Sequence, residues 1–319
     1  MRSQNYPFKS CEGELQVSAT VHWSEEAKKD GLYSIALAFH GGGFVVGSRH
    51  MLPEEQIQYL ADAGYVVVSA DYRLCPQVSL YEGPIEDAKD AYRWCKSHLP
   101  GLLKQDAGLE VDGSRIAVFG HSAGGCLALH LGSLPDPPSA ILDFYGVKYT
   151  TDPFWFQPLP ALAMIPPLDE AFLNQIYQEP VLSHTGLSLE GASKTRDRPK
   201  TKGLPKPDLS VPRNAWLFSS LKNGTHFSSI VKDGDYQRVD PVRLFSDKSP
   251  PTFFVHGNAD GMVSAIFSVK AHEELQRLGV ETGIVLPEGK SHGFDVGVGP
   301  EDADFASIRA GLDFLIRHK

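Results

Sequence analysis

The pentapeptide Gly120-His121-Ser122-Ala123-Gly124 constrains this chain more than any other segment. The apolar run Arg115-Ile116-Ala117-Val118-Phe119 precedes it, and the helix-compatible run Cys126-Leu127-Ala128-Leu129-His130 follows. A strand that turns sharply into a helix, with a serine at the tip, is a nucleophile elbow. The flanking glycines fit because a serine held on such a turn leaves little room for neighbouring side chains. Alone, the pattern also describes an ordinary glycine–serine turn. Its meaning depends on what else the chain supplies.

The surrounding periodicity is that of alternating strands and helices. Residues 14–23 alternate, with Leu15, Val17, Ala19, Val21 and Trp23 apolar, as in a half-buried strand near a sheet edge. A strand is predicted over 33–39. The runs 65–70, 116–119, 140–145, 252–256 and 282–286 are continuously apolar, as strands of a buried parallel sheet are. Between them, Pro84-Ile85-Glu86-Asp87 opens a helix, with proline and acids suited to its first turn. Further helices are predicted over 265–278 and 302–317. The pattern implies a mainly parallel, doubly wound sheet.

Residues 147–250 break the rhythm. This stretch is rich in proline and carries Phe154, Trp155, Phe156, Phe172, Tyr177, Trp216 and Phe218. A structureless loop of that length does not suit a compact domain, and so many aromatics favour burial. The expected organisation is a core of residues 1–146 and 251–319. Residues 147–250 would form an inserted, mostly helical cap over the site, with 169–177 one of its helices. Within it, Lys194 to Lys202 is a basic run. No internal repeats are found.

A serine hydroxyl is a weak nucleophile. It needs a base, an acid to orient the base, and donors for the developing oxyanion. His40-Gly41-Gly42-Gly43-Phe44 follows the strand ending at Phe39, and its glycines let backbone N–H groups approach a substrate. The N–H of Ala123 is a further donor. The candidate base is His292, in Ser291-His292-Gly293-Phe294 just past a strand. His40 belongs to the oxyanion segment, His121 is expected to point away from the serine's partners, and His256 to pack or anchor a loop. The candidate orienting acid is Asp260, in His256-Gly257-Asn258-Ala259-Asp260. Asp295 is nearer to His292 but is expected to be solvated. Asp240 and Glu288 are weaker candidates. The order is nucleophile Ser122, acid Asp260, base His292.

These motifs, with Asp71-Tyr72-Arg73-Leu74 and Glu86-Asp87-Ala88, resemble the hormone-sensitive-lipase-like branch of the α/β-hydrolase fold, the α/β-hydrolase fold-3 family. The resemblance covers most of the chain outside the cap. It implies that Gly42 and Gly43 supply oxyanion N–H groups, and that Asp71 to Leu74 and Glu86-Asp87 are structural. The chain departs from the family in His121, where members commonly carry an acid, and in Cys75 before Pro76, where alanine is frequent.

The expected activity is hydrolysis of a carboxylic ester through an acyl-enzyme, with no metal or organic cofactor. The aromatic cap implies a small or medium ester with an apolar or polycyclic part. Deacetylation, lactone hydrolysis and thioester release of a polyketide in specialised metabolism all fit. For thioester release, the basic run could meet an acidic acyl carrier protein. A cyclase or lyase, or a ligand receptor, could reuse the same fold. The formal net charge of −9 over 319 residues argues against nucleic acid or an anionic membrane as main partner. The polar N-terminus, four scattered cysteines and lack of a membrane-length apolar run lead to the expectation of a soluble cytoplasmic protein. Cys126, close to Ser122, is read as a packing residue.

Overall fold

Runs of β-branched and aromatic residues buried on both faces form the centre of an eight-stranded sheet in the computed structural model, which describes residues 1–28, 31–186 and 207–319. The strands are β1 (Arg2–Ser10), β2 (Gln16–Trp23), β3 (Leu32–Phe39), β4 (Tyr65–Ala70), β5 (Glu110–His121), β6 (Ile141–Phe144), β7 (Thr252–Val255) and β8 (Thr282–Val285). Their spatial order is β1-β2-β4-β3-β5-β6-β7-β8. β1 and β2 pair antiparallel, as do β2 and β4, and every pairing from β4 to β8 is parallel. β2 is therefore one strand in from the edge. The edge itself is β1, largely exposed and without an apolar run to mark it in sequence.

The helices are α1 (Glu54–Asp62), α2 (Glu86–Ser97), α3 (Leu99–Ala107), α4 (Ala123–Leu131), α5 (Glu170–Leu173), α6 (Pro212–Asn223), α7 (His226–Ile230), α8 (Ala265–Arg277) and α9 (Phe305–Arg317). Successive residues of a strand face opposite sides of the sheet, and each side is covered. Ile35, Leu37, Val66 and Val68 pack with Ala88 and Ala91 of α2, Leu127 of α4 and Leu275 of α8. Ala36, Ala38, Val67 and Phe119 pack with Leu60 of α1 and Ile308 and Leu312 of α9. A sheet covered on both faces by helices is the doubly wound α/β architecture expected from the periodicity.

Between β6 and β7 the described residues contain no strand. They hold α5, α6, α7 and short 3₁₀ turns at Pro153–Phe156, Pro160–Leu162, Asn174–Gln178 and Pro241–Leu244. The helix expected over 169–177 is α5 running into the third of these turns. α6 begins with Pro212 at its first turn and ends at Gly224 in the left-handed conformation, a common pair of helix boundaries. The basic run Lys194 to Lys202 lies outside the described residues.

Candidate active site

Parallel strands aim their C-terminal ends at one edge of the sheet, and the candidate residues converge there. β5 ends at His121, and Ser122 forms the junction with α4. The backbone of Ser122 has φ 54° and ψ −116°, a conformation that is strained for a residue with a side chain. The strain is held by close packing on both sides. A Cβ on Gly120 would strike the Gly124 carbonyl, and one on Gly124 would strike the carbonyls of Phe39 and His40. The sequence pattern Gly-x-Ser-x-Gly is thus a packing requirement at this turn.

His292 Nε2 lies 3.0 Å from Ser122 Oγ, and His292 Nδ1 lies 2.6 Å from Asp260 Oδ2. A carboxylate only accepts, so Nδ1 carries the proton and Nε2 of the neutral ring accepts from the serine hydroxyl. Asp260 Oδ1 accepts from the N–H groups of Met262 at 2.7 Å and Val263 at 2.9 Å. The Asp260 side chain is fully buried, and burial alone would raise its pKa. The attraction of the His292 ring in its protonated form and hydrogen bonds from His256 and His292 overcome that and hold the carboxyl well below its usual range. Asp260 is therefore ionised at neutral pH.

The glycine loop lies beside the serine. Gly42, Gly43 and Phe44 all have positive φ, at 108°, 59° and 65°. Among the described residues, no acceptor takes the N–H of Gly42, Gly43 or Ala123. The loop is braced from below and above. Tyr72 stacks on His40 with ring centroids 4.2 Å apart, and its hydroxyl donates to the His40 carbonyl at 3.0 Å. From α7, His226 Nε2 donates to the Gly43 carbonyl at 3.0 Å, and from α6, Arg213 donates to the Val45 carbonyl at 2.9 Å. Burial lowers the His226 pKa to about 4, so this ring is neutral. Asp71 pairs with Arg49, and Asp87 takes Arg73 and Lys9, fixing the segments beneath the loop.

A cavity of about 200 Å³ opens over Ser122 and His292. Its walls are Val147, Trp155, Leu162, Leu217, Phe218, Leu221 and Phe227 from the segment between β6 and β7, with Met262 and Val263. Among the described residues, the polar side chains that line it are Ser122, His226 and His292, beside the backbone of the glycine loop. Such a lining suits an uncharged, apolar group.

Two expectations need revision, for Asp295 and for His256. Asp295 is not solvated. It is fully buried, accepting from Tyr145 at 2.6 Å and Gln56 at 2.7 Å, with His121 Nε2 3.1 Å away. His121 accordingly points away from the catalytic edge into this sealed pair, stacked on Phe144. His256 does more than pack, since its Nε2 lies 3.1 Å from Asp260 Oδ2. His226, Lys148 and Ser268 were not marked by any motif. Only the folded chain brings His226 to the Gly43 carbonyl and Lys148 to Ser268. Cys126 is a buried free thiol whose pKa burial raises well above its usual value.

Comparison with known proteins agrees with this architecture. A family model described as alpha/beta hydrolase fold matches residues 36–141, which hold both the glycine loop and the serine turn. The non-reducing polyketide synthase adrD of Penicillium rubens is 30% identical over 346 residues, covering 100% of this chain and 14% of the synthase. The non-reducing polyketide synthase Preu6 of Preussia isomera is 32% identical over 305 residues, covering 89% of this chain and 13% of the synthase. The chain thus spans a small fraction of the curated relatives it matches. Among solved structures, a Staphylococcus aureus protein of unknown function superposes with TM-score 0.72 at 18% identity, covering 98% of each chain. A Thermogutta terrifontis esterase with bound propionate superposes with TM-score 0.59 at 20% identity, over 98% of this chain and 91% of the esterase. With its strand order, its serine turn and a family model that matches residues 36–141, the chain has the α/β-hydrolase fold.

Proposed function

We propose that this protein is a serine hydrolase that cleaves an acyl ester or thioester through an acyl-enzyme. The observation that carries the reading is the unbroken hydrogen-bond line from Ser122 through His292 to ionised Asp260. Ser122 Oγ attacks the acyl carbonyl while its proton passes to His292 Nε2. Asp260 holds the ring and balances the imidazolium. The carbonyl oxygen, now negative, receives the N–H groups of Gly42, Gly43 and Ala123. Collapse of the tetrahedral species breaks the bond to the leaving alcohol or thiol, which takes the proton from His292. Water then repeats the sequence, giving a carboxylic acid and free Ser122. Residues 147–250 act as the cap, and their apolar side chains select the acyl group.

A second reading, narrower in substrate, is favoured by the relatives. Both are polyketide synthases, which supports a thioester of a polyketide acyl group as the natural substrate. An acyl carrier protein would then deliver it, with the Lys194 to Lys202 run as its contact. Charge reversal in that run is expected to slow turnover of carrier-bound acyl groups and leave free esters unaffected. Equal effects on both would remove the carrier reading.

The test of the hydrolase reading is turnover of p-nitrophenyl acyl esters by wild-type and Ser122→Ala protein. Loss of activity in the variant is expected, and full activity would sink the proposal. Water labelled with ¹⁸O distinguishes hydrolysis, which incorporates the label into the acid, from a cyclase or lyase reaction. A pure ligand receptor would show no fluorophosphonate labelling of Ser122.

A further inference from the structure

Behind Asp260 lies a buried polar chain that the proposed reaction does not use. Lys148, just past β6, is fully buried. Its Nζ pairs with Asp143 Oδ2 at 2.7 Å, donates to the Gly146 carbonyl at 2.6 Å, and reaches Ser268 Oγ on α8 at 3.0 Å. An ammonium only donates, so Ser268 accepts there and its one proton is free to go onward. The next atom is His256 Nδ1, at 2.7 Å. The other ring nitrogen, His256 Nε2, meets only acceptors: the Val263 carbonyl at 3.0 Å and Asp260 Oδ2 at 3.1 Å. Nε2 therefore carries the ring proton, and Nδ1 accepts from Ser268. The donor and acceptor inventory permits one direction along the line: Lys148 to Ser268 to His256 to Asp260.

We propose that His256, held in this single tautomer by Lys148 through Ser268, is a positioning residue that fixes the Asp260 carboxylate for His292. The proposal rests on the reading of Ser122, His292 and Asp260 given above. Burial lowers the His256 pKa, Asp260 opposes that, and Lys148 reinforces it. The ring is thus neutral, as the chain requires. Asp260 Oδ1 is already held by two backbone N–H groups. Among the described residues, Oδ2 would otherwise have only His292, whose ring changes its charge during each turnover. A second donor on Oδ2 keeps the carboxylate in place while that happens. Because Asp143 offsets the charge of Lys148, the chain supplies orientation with no net charge beside the site. A fully buried lysine–aspartate pair costs more to desolvate than an apolar pair of similar size. A positioning role gives this pair a reason to be there.

The test uses the full chain and p-nitrophenyl butyrate. His256→Phe is expected to lower kcat by about tenfold to a hundredfold, the loss of one hydrogen bond to a charged group, with KM unchanged. His256→Gln, whose amide can still donate to Asp260, is expected to recover most of the loss. A folded His256→Phe protein with wild-type kcat would overturn the proposal, as would equal impairment in the two variants. Ser268→Ala removes only a hydroxyl and covers the case in which the phenylalanine variant does not fold. It should lower kcat at constant KM and move the downfield proton resonance between His292 and Asp260. An unmoved resonance with unchanged kcat would contradict the chain. Fluorophosphonate separates the two levels of the argument. Wild-type protein that fails to label at Ser122 removes the hydrolase reading and this one with it. Wild-type and His256→Phe proteins that label at the same rate remove only the positioning role.

Discussion

Two histidine–aspartate pairs lie within the same sheet edge and have opposite surroundings. In the first, His292 is 11% exposed, reaches Ser122, and leans on Asp260. In the second, His121 and Asp295 are both fully enclosed by Phe144, Tyr145 and Gln56. Sequence proximity would assign them the other way round. His121 is adjacent to Ser122, and Asp295 is three residues from His292. Strand geometry decides otherwise. His121 is the last residue of β5 and points away from the side on which Ser122 meets its partners, while Asp295 turns inward beneath the loop that carries His292. The two pairs communicate through Tyr145, which donates to Asp295 and packs edge-on against His292 with ring centroids 4.6 Å apart. In the proposed reaction the first pair exchanges a proton with a substrate, and the second holds the floor under it.

The sharpest way to break this contrast is to remove one histidine from each pair. His292→Ala is expected to lower kcat/KM by about 10⁴-fold or more, the scale of losing a general base. His121→Leu should leave the folded fraction within about tenfold of wild type, since no reacting atom touches it. Comparable losses in kcat/KM per folded molecule would erase the distinction.

Stability should respond in the reverse order. Asp295→Ala strips a buried partner from His121, Tyr145 and Gln56, and is expected to cost about 3–5 kcal/mol in urea unfolding. A change within error of zero would contradict the sealed role of this pair.

Acid should also act on stability through buried neutral histidines. Burial lowers the pKa of His130 and His226 from 6.5 to about 4, and of His40 to about 3. The unfolded chain takes up these protons first. The stability is therefore fully present above pH 6.5, and is lost progressively as pH falls toward 4. Urea midpoints measured from pH 7.5 to 4.5 should fall across that window. A flat profile would argue against neutral, buried rings.

The smallest effect concerns the acyl group. Each methylene buried in the apolar cavity is worth about 0.8 kcal/mol, so kcat/KM should rise by up to about fourfold per methylene. The rise should stop once the cavity of about 200 Å³ is filled. Preference for acetyl over butyryl esters would show that the cavity does not hold the acyl chain.

Much of this was legible in the sequence because its cause is local. The apolar runs at 65–70 and 252–256 mark strands inside the sheet, since a strand buried on both faces cannot alternate. Gly120 and Gly124 mark the turn, since any Cβ there strikes backbone. The edge that gathers the candidate residues was legible because Asp260 and His292 each follow a strand. β1 was not, because an edge strand exposed along most of its length needs no apolar period. Asp295 was misread because burial of an acid depends on partners from three distant segments: Gln56, His121 and Tyr145. His226 and Ser268 were invisible for the same reason. Each is an ordinary helical residue until the fold places it within 3.0 Å of Gly43 or Lys148 respectively.

The central claim is that Ser122, His292 and Asp260 form the reacting set and that Asp295 stands outside it. Fluorophosphonate labelling, mapped by mass spectrometry and timed in wild-type, Asp260→Asn and Asp295→Asn proteins, tests it directly. The label should lie on Ser122. Its rate should fall by about 10⁴-fold in Asp260→Asn, where the base is held in the wrong tautomer, and stay near wild type in folded Asp295→Asn. A label on another residue, or a greater loss in Asp295→Asn than in Asp260→Asn, would contradict the account.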